Sequence, residues 1–440
     1  MKKVVKFGGS SLADSEQFKK AAAIIRAEDS RVYAVPSAPG KRFSGDRKVT
    51  DLLLDAYAAA ADGKSFDGIL GKIEARYKEI CEGLGIGDFD LGSDFAEIAG
   101  SLKENPKRDF TASRGEYLNG KILARCLGWE FIDAKDVIFF DEDGRFDPEK
   151  TNSVLKARLD KTPQAVIPGF YGCAADGSVK TFSRGGSDIT GSIVARAANA
   201  DVYENWTDVS GFMVADPRIV NDPQSIDVIT YRELRELSYM GASVLHEEAI
   251  FPVRKAGIPI NIRNTNDPAA PGTWIVESTA HQPKFTITGI AGKKDFCSVL
   301  ISKALMNSEI GFYERVANAF ADNGISIEHM PSGIDTMTVV VHESEFLEKE
   351  QRVISELNRR CHPDNIEIDS DLALIAVVGR GMKNTRGTAG RIFSALAHAH
   401  VNVRMIDQGS SELNIIIAVA NDDFETAIRA IYDIFVTTQL

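Results

Sequence analysis

Through the first 275 residues, short apolar runs of β character alternate with stretches in which apolar side chains recur every three or four positions. A run through Val4 and Val5, then 31–36, 131–133, 164–167, 201–205 and 259–263, predict strands, while 13–27, 50–61, 115–127 and 187–198 predict helices. In the first of these helices Phe18, Ala21, Ala22 and Ile25 share a face, and Asp14 stands near the start, where a carboxylate suits the positive end. Strands separated by helices specify an α/β domain of three layers, with a mainly parallel sheet between helices. Glycine turns follow several runs, at Pro39-Gly40, Pro168-Gly169 and Ser210-Gly211, where open sheets place ligands. The more charged stretch 62–108 reads as a helical elaboration of the same domain.

The C-terminal third repeats itself. Strand 298–305, helix 311–323, strands 325–330 and 336–342, helix 346–359 and strand 365–369 spell β-α-β-β-α-β. The segments 372–379, 388–399, 401–406, 413–419 and 424–434 follow the same order, and Gly324-Ile325-Ser326-Ile327 is answered by His400-Val401-Asn402-Val403. The second copy lacks its last strand, and 436–440 is too short to provide it. A spare strand at 285–291 precedes the first copy, so the first unit is expected to be inserted within the second. Asp267-Pro268-Ala269-Ala270-Pro271-Gly272, a strand at 273–276 and the polar stretch 277–284 mark the boundary. The expected domains are therefore 1–280 and 285–440, the latter divided into about 298–370 and about 285–297 plus 371–440.

Composition narrows the partners. With 51 basic against 63 acidic residues the net charge is −12, which excludes a general polyanion binder and with it nucleic acid. Cys81, Cys126, Cys173, Cys297 and Cys361 are scattered without a C-x-x-C pair, so neither a disulfide framework nor a zinc site is expected, and reduced thiols fit a cytoplasmic protein. No apolar stretch approaches the 18 residues of a membrane span, and the start has no signal-peptide core.

The chemistry begins where the first strand delivers Lys6-Phe7-Gly8-Gly9-Ser10-Ser11 into a turn. Adjacent glycines let backbone N–H groups approach an anion, the serines add hydroxyl donors, and Lys6 supplies a point charge for a phosphoryl group at the positive end of the following helix. Ser113-Arg114-Gly115-Glu116 opens a predicted helix with Glu116 beside Arg114. Thr181-Phe182-Ser183-Arg184-Gly185-Gly186-Ser187-Asp188 combines a second glycine pair with Arg184, a fork for a carboxylate. Asp188 is open to three readings: a helix cap, a substrate contact, or the partner that aims Lys6. The segment from Thr207-Asp208 through Met213 to Ala215-Asp216-Pro217-Arg218 ends in a possible phosphate clamp, and Thr50 is a site hydroxyl or, as its own surroundings favour, a helix cap.

In order and content these segments resemble the aspartokinases of the amino-acid kinase family, across essentially the whole chain and without an appended homoserine dehydrogenase. The terminal repeats resemble the paired ACT regulatory domains of that family. The resemblance implies phosphorylation of the side-chain carboxylate of L-aspartate by ATP with Mg²⁺, the first step of aspartate-family amino-acid biosynthesis. It assigns Lys6 to the transferring phosphoryl group, Gly8, Gly9 and Ser10 to phosphate oxygens, and Asp188 to organising Lys6. Arg184 would bind the α-carboxylate and Glu116 the α-amino group, Thr50 and Ser187 would line the aspartate site, and Thr207, Asp208 and Arg218 would contact ATP. Met213 and Ser243 depart from the usual tyrosine and lysine of the family. No acidic cluster forms a dedicated metal cage, so Mg²⁺ is expected to arrive with the nucleotide. Kinases of the same fold acting on glutamate, acetylglutamate or UMP, and a non-catalytic amino-acid sensor, are the rival readings.

ACT units commonly pair across subunits, which implies a homodimer or a dimer of dimers regulated by an amino acid, lysine first and threonine second. In the first unit Met306 and Asn307 precede the helix bearing Phe312 and Tyr313, backbone groups at 310–312 would hold the effector carboxylate, and Glu328 would pair with a lysine ammonium or stand as a solvated edge charge.

Overall fold

The computed structural model describes residues 1–438 except Arg184, 243–246, Gln282 and Asn384, with 247–249 described by backbone alone. The chain forms two units, one of Met1–Phe212, Ser225–Tyr231 and Ser243–Thr279, the other of Met213–Gln224, Arg232–Ala242 and Ala280–Leu440. Two short segments that the sequence assigns to the first domain thus pack with the second. The reason is apolar: in Tyr231–Tyr239 the side chains of Leu234 and Leu237 are buried, and a Cβ on Gly289 would stand 2.8 Å from Leu237.

The strands of the first unit are β1 (Lys3–Phe7), β2 (Arg31–Pro36), β3 (Glu130–Phe131), β4 (Ala165–Val166), β5 (Tyr171–Cys173), β6 (Val179–Thr181), β7 (Val202–Thr207), β8 (Val228–Thr230), β9 (Ile260–Asn264) and β10 (Thr273–Val276). Eight of them form one sheet in the order β3-β4-β2-β1-β7-β9-β10-β8, parallel apart from the β9–β10 pair, and β5 and β6 make a separate hairpin. β1 lies between β2 and β7, the point at which the chain's winding reverses, so the C-terminal ends of β1 and β7 border a crevice. Side chains alternate along β1. Val5 and Phe7 enter the core beneath Ser15–Arg26, Val49–Ala61, Asp67–Gly83, Gly92–Glu104 and Arg108–Leu127, with Phe7 stacked on Trp206 at 6.0 Å, and Lys6 is turned to the opposite face, against Gly186–Ala197.

Two local expectations change. The helix predicted from 115 begins at Arg108, after Pro106 and a Lys107 cap, so the Ser113–Glu116 motif sits in its second turn and Glu116 is not a first-turn partner of the helix dipole. The strand expected at 131–133 stops at Phe131, because Asp133 accepts the Lys135 N–H and caps the short helix Ala134–Val137.

The second unit holds β11 (Gly289–Ser302), β12 (Thr336–His342), β13 (Asn365–Val378), β14 (Met405–Asp407) and β15 (Asn414–Ala420) in one antiparallel sheet of order β12-β11-β13-β15-β14. The four strands expected at 285–291, 298–305, 365–369 and 372–379 are two long ones, β11 and β13, paired from Gly289–Val378 to Ser302–Asn365. Each belongs half to one repeat and half to the other, and this is how the first unit is inserted in the second. The expected strand at 325–330 is reduced to the Glu328 N–H bond to Val340 and an isolated bridge at His329. Four helices, Phe312–Ala321, Glu350–Cys361, Thr388–His398 and Phe424–Tyr432, complete the two repeats, and the first repeat has its own core around Val299, Phe312, Phe320 and Phe346. Among the described residues no helix is long and apolar enough to cross a membrane.

Candidate active site

Parallel pairing sets Lys6 of β1 beside Asn205 of β7. The buried Lys6 ammonium lies 2.5 Å from Asp188 Oδ1 and 3.3 Å from Asn205 Oδ1, and Asn205 Nδ2 donates to the same Asp188 oxygen at 2.8 Å. Asn205 therefore fixes both members of the ion pair. Of the three readings of Asp188, the geometry displays an ion pair with Lys6, and among the described residues Asp188 accepts no backbone cap bond. Replacing Asn205 with alanine removes one bond to each charged group, and such bonds are worth about 1.5–3 kcal/mol. Steady-state assays of Asn205→Ala should show kcat lowered roughly 10- to 100-fold with little change in the aspartate KM, and unchanged kcat would remove Asn205 from the site.

The glycine turn departs from expectation in one respect. Ser10–Leu12 is a short 3₁₀ turn, and the helix that follows, Ser15–Arg26, is capped by its own Asp14, whose side chain accepts the Gln17 N–H at 2.9 Å. That helix end is already satisfied by a carboxylate and is not open to a phosphate. The open one is Gly186–Ala197: Gly185 caps it in the left-handed region at φ 57°, among the described residues no side chain bonds its first N–H groups, and Asp188 stands in its first turn. In the turn itself Gly8 N–H donates to Trp206 O, and Gly40 N–H donates to Gly9 O at 2.8 Å. A Cβ on Gly40 would stand 2.5 Å from the Gly9 carbonyl carbon, so only glycine permits this backbone approach. Ser10 is half-buried, whereas the Ser11 hydroxyl is shared with Thr265 at 2.7 Å.

Glu116 is buried, accepts the Ala38 N–H, and keeps Oε2 without a hydrogen-bond partner. Burial is the largest effect on this carboxyl and pushes its pKa up to about 8, only partly opposed by the Ala38 bond and by Arg114. A buried carboxylate oxygen without a donor is costly in an empty site and suits an incoming ammonium. Arg114 does not pair with it. Its guanidinium donates to Ser113 Oγ and lies over the rings of Phe110, Tyr117 and Tyr171.

Ser187 is buried in the first turn of the Gly186 helix, so close to Gly169 that a Cβ there would stand 2.6 Å from it. Thr50 is the second residue of Val49–Ala61, whose cap position is Lys48, so Thr50 is not the helix cap that its surroundings favour. Arg184 and Ser243 lie outside the described residues.

At the end of β7 the Thr207 hydroxyl donates to Asp208 Oδ1 at 3.2 Å. Met213, half-buried, and Arg218 belong to the second unit, and Arg218 is no free clamp: its guanidinium is forked onto Asp216 at 2.5–3.0 Å, two residues away in its own turn. Of the effector residues, Met306 and Phe312 are buried in the core of the first repeat, which leaves Asn307 and Tyr313 toward solvent, the latter donating to Ser332 Oγ. Glu328 is not a free edge charge, since its Oε2 accepts the Tyr239 hydroxyl at 2.6 Å. Asn205 and the Ala38 N–H were not singled out in the sequence, whereas Gly40 was, in the Pro39-Gly40 turn; for Asn205 an asparagine beside Trp206-Thr207 was the one available signal.

A parallel sheet with a lysine ion pair and an uncapped helix end at its reversal point defines a phosphotransferase of small anions. Residues 1–264 match the amino acid kinase family, and residues 375–435 match the ACT domain. Aspartokinase 3 of Bacillus subtilis (strain 168) is 39% identical over 448 residues, which cover 98% of each chain. The crystal structure of Clostridium acetobutylicum aspartate kinase superposes with a TM-score of 0.89 at 51% identity, covering 98% of this chain and 99% of that one. Escherichia coli aspartokinase III in complex with aspartate and ADP shares the fold, with a TM-score of 0.76 at 24% identity over 99% of both chains. The chain belongs to the aspartokinases of the amino acid kinase family.

Proposed function

We propose that this enzyme transfers the γ-phosphoryl group of ATP to the side-chain carboxylate of L-aspartate, giving 4-phospho-L-aspartate and ADP. The observation that carries the residue roles is the buried Lys6–Asn205–Asp188 cluster beside the open end of the Gly186 helix, with the unpartnered Glu116 oxygen to receive an amino group. The nucleophile has an unperturbed pKa near 3.9 and is ionised at neutral pH, so no general base is required. The obstacle is repulsion between two anions. Lys6 and the N–H groups of Gly9 and Ser10 neutralise charge on the moving phosphoryl group, Gly8, whose own N–H is spent on Trp206 O, leaves the phosphate room beside the backbone, and Asp188 with Asn205 holds Lys6 in place. Arg184, Thr50 and Ser187 are assigned to the aspartate, and Thr207, Asp208, Met213 and Arg218 to the nucleotide. Mg²⁺ is assigned to the nucleotide phosphates, where it offsets their charge. ADP release measured with aspartate, glutamate, acetylglutamate and UMP as acceptors tests the reading: turnover with aspartate alone supports it, and preference for another acceptor overturns it.

Regulation is assigned to the second unit, with lysine as effector, threonine as second candidate, and a cytoplasmic homodimer or dimer of dimers as the working state. Leu305, Ile310, Tyr313 and Ile334 expose apolar surface on the first repeat, which suits pairing of like units. Lysine inhibits only if it binds the less active arrangement more tightly. Glu328→Ala should abolish lysine inhibition with little change in uninhibited turnover, whereas Tyr239→Phe, which removes only the hydroxyl on Glu328, should keep it. Equal loss in both would mean that Glu328 serves as a structural tie and does not contact lysine.

A further inference from the structure

Asn119 stands one turn beyond Glu116 on the same face of Arg108–Leu127, and it is fully buried. Both side chains engage one peptide unit, the Ser37–Ala38 link just past the end of β2. Glu116 accepts the Ala38 N–H, and Asn119 Nδ2 donates to Ser37 O at 2.7 Å. A carbonyl oxygen offers no donor, so this bond fixes the orientation of the Asn119 amide and leaves Oδ1 on its other branch. Among the described residues Oδ1 has no hydrogen-bond partner, and neither has Glu116 Oε2. The helix therefore carries two orphaned acceptor oxygens, three positions apart, beside a single peptide.

The walls around Asn119 are those of the proposed aspartate site. Its neighbour Gly120 packs so closely on Pro168 that a Cβ there would stand 3.2 Å from the proline side chain. The next residue, Gly169, donates its N–H to Pro36 O at 3.1 Å and lies against Ser187. An ammonium group carries three N–H donors and no acceptor. With Glu116 Oε2 as its one buried acceptor, it would give up water on its other donors without replacement, and a buried amide oxygen left unpaired is costly in the same way. One contact removes both penalties.

We propose that Asn119 is a second ligand of the substrate α-ammonium, with Oδ1 accepting one N–H while Glu116 Oε2 accepts another. The inference rests on the assignment of Glu116 to the amino group. A crystal structure of the full chain with L-aspartate and a non-hydrolysable ATP analogue tests it, and the α-nitrogen is expected within hydrogen-bond distance of both oxygens. Nitrogen held by Glu116 without Asn119 overturns this inference and leaves the Glu116 assignment standing; nitrogen at neither overturns both. Steady-state kinetics supply the second arm. Asn119→Leu, close in volume and without polar side-chain atoms, should raise the aspartate KM about 10- to 100-fold, the scale of a hydrogen bond to a charged group. Its kcat and ATP KM should stay within about threefold of the parent, because the lost contact is to bound aspartate alone. Loss of the Ser37 tie by itself would disturb the turn and act on kcat and both substrates together. Asn119→Asp, which when protonated donates to Ser37 O and keeps a carbonyl oxygen as acceptor, should restore the aspartate KM to within about threefold of the parent. An unchanged aspartate KM in a folded Asn119→Leu variant, a loss shared equally by aspartate and ATP, or an Asn119→Asp variant as impaired as the leucine one overturns the proposal.

Discussion

Lys6→Ala is expected to lower kcat by about 10²–10³-fold or more while the protein stays folded, the scale seen when one preorganised charge-stabilising donor is removed. In the proposed role Lys6 acts where negative charge gathers between nucleophile and phosphate, so the loss should fall on kcat and spare the aspartate KM. Folding should survive because Asp188 retains its bond from Asn205 and is partly open to water. Lys6→Arg should not restore the rate, since a planar guanidinium cannot occupy the space of an ammonium held between Asp188 and Asn205. Circular dichroism with steady-state ADP release decides the matter: near-normal turnover in a folded alanine variant would sink the assignment.

Glu116→Gln should weaken aspartate binding by roughly 30- to 5,000-fold, the range for deleting one partner of a buried charge pair, and should narrow discrimination against N-acylated analogues. The pH dependence is the sharper test. With its pKa pushed up to about 8 by burial, Glu116 is largely protonated at neutral pH in the free enzyme and must ionise to receive the ammonium. Aspartate affinity should therefore rise in the parent enzyme as pH goes from 7 toward 8.5, and stay flat in the variant. Stability moves in the other direction. A carboxyl whose folded pKa is raised contributes stability that is complete below its unfolded value near 4.5 and is lost as pH rises through about 8. Relative to the parent, Glu116→Gln should gain in urea midpoint between pH 6 and pH 9. A flat difference across that interval would mean that Glu116 titrates in the ordinary carboxylate range.

What the sequence determined by itself is what local periodicity and turn chemistry encode. Alternation of β-type runs with three-to-four-residue repeats specified the α/β sheet, and the doubled β-α-β-β-α-β pattern with its missing last strand specified the insertion of one ACT unit in the other. Lys6, Glu116 and Asp188 were legible because glycine pairs and charges stand together in short motifs. Which of these residues meet was decided by the fold alone. Asn205 gains its role from the β1–β7 register, which brings it beside Lys6 from nearly 200 residues away. The high pKa of Glu116 comes from burial and from the Ala38 loop, neither of which its neighbours in the chain display. The open helix end is that of Gly186–Ala197 and not that of Ser15–Arg26 because Asp14 caps the first and, among the described residues, no side chain caps the second. Segments 213–224 and 232–242 joined the regulatory unit through tertiary partners that nothing local records: Val214 O accepts the Ile290 N–H, and Leu234 and Leu237 are buried. Periodicity states that a side chain will be buried; only the tertiary structure states against what, and the chemistry of this site depends on the second statement.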